Sequence, residues 1–258
     1  MSVENNILAS LSNCEYENLR PHLEDVSLCR GKNIFNYGDS IQYVYFPLDA
    51  VVYMFTMMED GATAEVGVIG SEGIIGVSVL LGSTYSLSHS FTLNNSRALR
   101  IRADILKREF EKGGALQQMI LQFINAFLVQ ISQTSACNRI HHLEVRLCRW
   151  LLMARDKAKS DDLNVTQEFI SRMLGTQRPY ITTAIGVLQR EKIINCCRGR
   201  IEILDYQKLK ETACECYQII QNEFGKLYDA PKTFRSNSNY QESFAPAESD
   251  SSLVSISA

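Results

Sequence analysis

The chain has 258 residues, 45% of them hydrophobic, and a formal net charge of −3. That is enough apolar length for a sizeable core and for two modest globular domains. No run of eighteen uncharged apolar residues and no basic residue ahead of the short apolar patch in MSVENNILASL are found, which excludes a membrane span and a secretory signal and places the chain in the cytoplasm, with its eight cysteines reduced rather than built into a disulfide framework.

Residues 4 to 24 open with a short helix capped at Ser12 or Asn13. From about 26 to 102 the sequence is strand-like: VSLCR, NIF, QYVYF, VVYMFTM, TAEVGVI, HSFTL and RALRI are β-branched or aromatic runs separated by turn pairs such as Gly38-Asp39, Asp60-Gly61 and Asn94-Asn95. Many short antiparallel strands imply a barrel or sandwich. ADILKREFEKGG then opens a helix that Gly113 and Gly114 end.

Residues 115 to 137 carry an apolar series at Leu116, Ile120, Phe123, Phe127 and Gln130 or Ile131, the 3-and-4 spacing of a coiled-coil seam. A second apolar line runs through Leu121, Ile124 and Leu128. A helix apolar on two sides has two things to cover, its own β domain and a twin helix, so a homodimer is expected, with Leu116, Ile120, Phe123, Phe127 and Ile131 as its seam. A wholly buried helix in a monomer is the bland alternative.

An amphipathic helix follows over 142 to 158. Thr166 is then an N-cap candidate ahead of EFISRMLG, and Gly175 a left-handed stop. Thr176 is expected to cap the next helix, which puts Pro179 in the first turn, where a missing N–H costs nothing. Ile181, Ile185 and Leu188 form the buried face of that helix, while Gln177, Arg178, Tyr180, Thr182 and Thr183 form an exposed one. EKIINCCRGRIEILD reads as a β-hairpin turned at Arg198-Gly199. The segment from about Asp229, rich in Ser, Asn, Pro and Ala, reads as disordered.

Charge is unevenly spread. Residues 1–137 hold 9 Lys and Arg against 14 Asp and Glu, residues 138–228 hold 15 against 11, and residues 229–258 hold 2 against 4. A modest positive excess is a weak sign of nucleic acid unless a motif accompanies it.

The motif is present. GSEGIIGVSVLLG, CNRIHHLEVRLCRWLLMARD, LNVTQEFISRMLGTQRPYITTAIGVLQ, RGRIEI and ACECY, taken in order, resemble the Crp/Fnr superfamily of bacterial transcription regulators over roughly residues 5 to 228. The resemblance implies an α+β chain: an N-terminal antiparallel β-roll (a double-stranded β-helix) in 1–114, a long dimerisation helix in 115–140, a C-terminal winged helix-turn-helix in 141–228, and a tail in 229–258. It implies double-stranded DNA and a second copy of the chain as partners, RNA polymerase as a further one, and a near-palindromic target. Arg178 is the first base-reading candidate, through a guanine O6/N7 edge. Thr182 and Thr183 suit a thymine methyl or a phosphate, and Gln177 and Tyr180 a phosphate or an adenine edge. Thr166, Gln167, Thr176, Arg198 and Arg200 complete the expected contacts, mostly as phosphate anchors. Thr183 stands where many members of the superfamily carry a base-reading arginine, so no known target sequence carries over.

Glu72, Gly73 and His89 are the candidates for a ligand pocket in the β-roll. Relatives that bind cyclic AMP hold its ribose with a Gly-Glu segment and its phosphate with an arginine. Here the Gly-Glu order is reversed, and no Lys or Arg stands between Asn33 and Ser96, where six carboxylates do. A buried phosphodiester without a cation is costly, so tight cyclic-nucleotide binding is not expected. No cofactor or metal is expected, and no N-terminal Cys-x-x-Cys run supports an iron-sulfur cluster. Cys214 and Cys216 are candidates to approach Cys196 and Cys197, and Cys137 to approach His141, with buried thiols favoured over a redox or zinc role. Four histidines, no P-loop lysine and no Gly-x-Ser-x-Gly elbow argue against an enzyme. A sensing or adaptor module whose helix-turn-helix contacts protein is the alternative.

Overall fold

The computed structural model describes residues 5–227. The tail expected to be disordered, 229–258, lies outside the described residues. The first element, α1 (Asn6–Ala9), is capped by Asn5, whose Oδ1 accepts from the Ile7 and Leu8 N–H groups. The Asn5 amide also donates to the Pro47 and Gly73 carbonyls at 3.0 Å each, so a fully buried polar side chain has its hydrogen bonds met. α2 (Asn13–Leu19) starts with a Ser12–Glu15 capping box. Glu15 reaches further, accepting from the Ala115 and Leu116 N–H groups at 2.8 and 3.2 Å. Hydrogen bonds, the Ser12 hydroxyl first, hold its carboxyl below the usual range.

Seven strands follow where the turn pairs place them: β1 (Glu24–Leu28), β2 (Asn33–Phe35), β3 (Tyr43–Pro47), β4 (Val52–Met57), β5 (Thr63–Ile69), β6 (His89–Thr92) and β7 (Ser96–Arg102). They form two antiparallel sheets, ordered β1-β7-β3 and β2-β6-β4-β5. Alternation sets the inward side: Val44 and Phe46 of β3 are fully buried while Tyr43 and Tyr45 are half-buried. Val52, Val68, Ala98 and Ile101 share the core, with Ile74 and Ile75 from the loop after β5.

α3 (Ala103–Glu111) leads through Gly113, in the left-handed region at φ 82°, to α4 (Gly114–Ile140), 27 residues long. By length and composition α4 matches a membrane span, but one side of it packs on the chain's own β domain. That side corrects the expected dimer seam. Leu116, Ile120, Phe123 and Phe127 are buried within the chain, and Ile131 is half-buried. The buried Gln130 explains the choice of side: its amide oxygen accepts from Val68 N at 2.8 Å and its nitrogen donates to Val68 O at 3.3 Å, docking α4 onto β5. The outward line is the other one, with Leu121 46% and Leu128 56% exposed and Ile124 between them.

The second half contains α5 (Leu143–Ala158), β8 (Asp162–Leu163), α6 (Gln167–Met173), α7 (Arg178–Arg190), β9 (Ile194–Cys197), β10 (Arg200–Ile203), α8 (Tyr206–Thr212) and α9 (Glu215–Lys226). Its small sheet is ordered β8-β10-β9. This half packs on the first through aromatic rings: Tyr53 of β4 stacks on Trp150 of α5 at 5.8 Å and meets Phe169 of α6 edge-on at 5.1 Å. Beside them Lys157 of α5 pairs with Glu72 at 2.8 Å.

Candidate nucleic-acid interface

The turn between α6 and α7 is built from backbone hydrogen bonds. Gly175, at φ 59°, lets its N–H reach Arg172 O at 3.3 Å and the Thr176 N–H reach Ser171 O at 3.0 Å, the paired bonds of a Schellman stop. Thr176 is thereby used in closing α6, which corrects its expected role. Gln177, extended at φ −81° and ψ 143°, is the N-cap of α7, with no side-chain capping bond. Pro179 falls in the first turn, where its missing N–H removes no helical bond. Thr166 caps α6 as its sequence position implies, accepting from Phe169 N at 3.1 Å.

Ile181, Ala184, Ile185 and Leu188 bury the inner face of α7. Gln177, Arg178, Tyr180, Thr182 and Thr183 are all exposed, so the polar edge is open to solvent. It is also braced. The Thr182 hydroxyl donates to Gln167 Oε1 at 2.7 Å, linking the two helices, and the Thr183 hydroxyl donates to Pro179 O at 3.1 Å. The same face continues through the half-buried Gly186 and the exposed Gln189, which a reading of the first two turns leaves out. Their helical spacing from Thr182 was the available signal.

The hairpin of β9 and β10 turns on two left-handed residues, Arg198 at φ 48° and Gly199 at φ 81°, as a two-residue turn of the I′ kind requires. Arg198 is exposed there. Arg200 departs from the expectation of a free phosphate anchor: its guanidinium is bonded to the Asp162 carboxylate, which raises its pKa further. Among the described residues Arg178, Arg190, Lys192 and Arg198 make no ion pair, whereas Arg172 pairs with Glu168 at 3.4 Å.

The three residues expected to line a ligand pocket are not brought together as one. Glu72 accepts from Gly70 N at 2.9 Å and pairs with Lys157. A β-carbon on Gly73 would fall 2.4 Å from a Phe123 ring carbon, so α4 fills that place. His89 stacks on Phe55 at 4.9 Å. A cavity of about 300 Å³ lies elsewhere, lined by Ile41, Gln42, Tyr43, Arg102, Ala103 and Asp104.

Behind the aromatic contact, Glu65 and Arg149 are 7% and 1% exposed. Burial pushes the Glu65 carboxyl up to about 7, against the opposing pull of Arg149 and the Trp150 indole. Of the cysteines, Cys214 and Cys216 meet Cys137 and His141 rather than Cys196 and Cys197, and Cys196 lies near Gln167 at 3.8 Å.

Residues 145–212 match the Crp-like helix-turn-helix domain, and residues 25–112 match the cyclic nucleotide-binding domain. No curated protein matches the chain in sequence. Solved structures share the fold at low identity. A CRP/FNR-family transcriptional regulator from Thermus thermophilus is 21% identical with a TM-score of 0.63, covering 74% of this chain and 98% of that one. A second CRP-family regulator from that organism is 18% identical at 0.63, covering 73% and 96%. FixK2 from Bradyrhizobium japonicum is 12% identical at 0.65, covering 74% and 98%.

Proposed function

Since the chain belongs to the Crp/Fnr family of transcription regulators, we propose that it reads a near-palindromic DNA site as a homodimer, without responding to cyclic AMP. The observation that carries this reading is the open, braced polar edge of α7 from Gln177 to Thr183. A recognition helix enters the major groove by its N-terminal end, which puts these side chains at base edges. Arg178, exposed and with no ion-pair partner among the described residues, is the reader of a guanine. Thr166 and Arg198 flank it as phosphate anchors, and the first N–H groups of α7 favour an anion. Arg200 contributes only if Asp162 releases it.

The twin helix packs on the outward line of α4, Leu121, Ile124 and Leu128. Twofold symmetry then repeats the recognition helix about 34 Å away, one turn of the duplex. Against cyclic AMP, Glu72 is bonded to Lys157, Phe123 occupies the space beside Gly73, and the six carboxylates between Asn33 and Ser96 have no intervening Lys or Arg. RNA polymerase is the partner a regulator of this kind recruits or obstructs.

Footprinting of DNA bound in the genome, followed by binding to the recovered fragments over a salt series, tests the reading. Affinity should fall steeply as salt rises, because phosphate contacts release counterions. Absence of binding to every recovered fragment at low salt would refute it.

A further inference from the structure

Where α4 ends and α9 begins, four ligand atoms converge. Cys137 Sγ lies 3.5 Å from Cys214 Sγ, and Cys216 Sγ lies 3.7 Å from His141 Nδ1. All four atoms are within 4.8 Å of one another. The three thiols are buried and His141 is half-buried. We propose that Cys137, His141, Cys214 and Cys216 form a tetrahedral site for a thiophilic divalent metal, zinc by preference.

The donor set is that of a structural Cys3His zinc site, with each helix end supplying a closely spaced pair, Cys-x-x-x-His and Cys-x-Cys. Metal–sulfur bonds of about 2.3 Å and metal–nitrogen bonds of about 2.1 Å place tetrahedral ligands about 3.5 to 3.8 Å apart. Two of the observed separations already fall there, and the widest closes by about 1 Å. Outside the four ligands, His141 Nε2 lies 3.5 Å from Glu215 Oε1, so the ring nitrogen turned away from the sulfurs faces a carboxylate. Metal-ligating histidines are held in this way.

The surrounding charge fits as well. Arg149 is almost fully buried, its Nη1 donates to the Thr134 hydroxyl at 3.3 Å, one turn before Cys137 on α4, and its Nε and Nη2 have no hydrogen-bond partner among the described residues. A divalent ion on three thiolates and one neutral imidazole leaves a centre with one negative charge, which the buried guanidinium offsets. A simple cluster of small apolar thiols accounts for neither the histidine nor its carboxylate. The bound metal would join residues 77 apart in sequence and hold α9 against the α4–α5 joint.

The test is a Co2+ titration of the full chain, reduced and stripped of metal. About one equivalent per chain should give thiolate-to-cobalt charge-transfer and strong tetrahedral d–d absorption, both bleached by Zn2+. Glu215→Gln should weaken affinity about 10–100-fold. Cys214→Ser should weaken it further and remove part of the charge-transfer intensity, with Cys197→Ser matching the parent. Zn2+ should also raise the melting temperature of the unmutated chain, and chelation should lower it. A titration without charge-transfer absorption and without a melting shift would overturn the site, as would a Cys137–Cys214 disulfide in freshly purified protein.

Discussion

The ammonium of Lys157 lies 2.8 Å from a carboxylate oxygen of Glu72, and the two side chains are only 6% and 12% exposed. Lys157 also sits over the Phe224 ring, 4.1 Å from its centroid. The pair ties α5 to the loop after β5. Removing one member of a buried pair leaves the other charge uncompensated. Lys157→Met should therefore cost about 3–5 kcal/mol in urea unfolding, and adding Glu72→Gln should recover a large part of the loss.

Stability should depend on pH through Glu65. Its folded pKa, about 7, lies well above the ordinary glutamate value of about 4.5, so the protonated carboxyl is the form that suits the core. That contribution is complete below about pH 4.5 and is lost as pH rises through 7. Urea unfolding should show a loss of about 2–3 kcal/mol between pH 5 and 8. Glu65→Gln should remove this part of the pH dependence, read as the difference between the two curves because Asp156 is also raised by burial.

Arg178 and Arg198 should separate under mutation. Arg178→Ala should erase preference at one base position, worth about 1–3 kcal/mol of discrimination, with little change on random DNA. Arg198→Ala should weaken all sequences alike and reduce the salt slope by about 1. Fluorescence anisotropy on matched and scrambled duplexes over a salt series distinguishes the two patterns.

The two faces of α4 should answer differently. Leu121→Glu with Leu128→Glu should yield monomers in sedimentation at a stability within about 0.5 kcal/mol of the parent's folded protomer, since both side chains face outward. Phe123→Ala, in the chain's own core, should cost about 3–5 kcal/mol.

The sequence made most of this architecture legible. The seven strands of the β domain were marked by β-branched or aromatic runs punctuated by turn residues, and the break at Gly175 by its left-handed stop. The side on which α4 packs was not legible, because both of its apolar lines have helical spacing. Of the two alternatives that ended the series, Gln130 or Ile131, it is Gln130 that anchors α4 on β5. β8 has two residues and is defined only by its pairing with β10. α9 did carry a signal, the buried Cys216, Tyr217, Ile220 and Phe224 at 3-and-4 spacing. The thiol cluster depends on a long-range approach that local spacing does not encode, and Arg200 lost its expected freedom to an aspartate 38 residues away.

The ring of Phe123 is wedged between Gly73, where a β-carbon would overlap it, and the ring of Phe224, 6.4 Å away. Interiors packed this tightly do not absorb added volume. Bulk gained at that glycine would act like a cam, pushing the aromatic pair sideways and prising α9 off its seat, so one residue without a side chain sets the clearance of a joint that spans both halves of the described molecule.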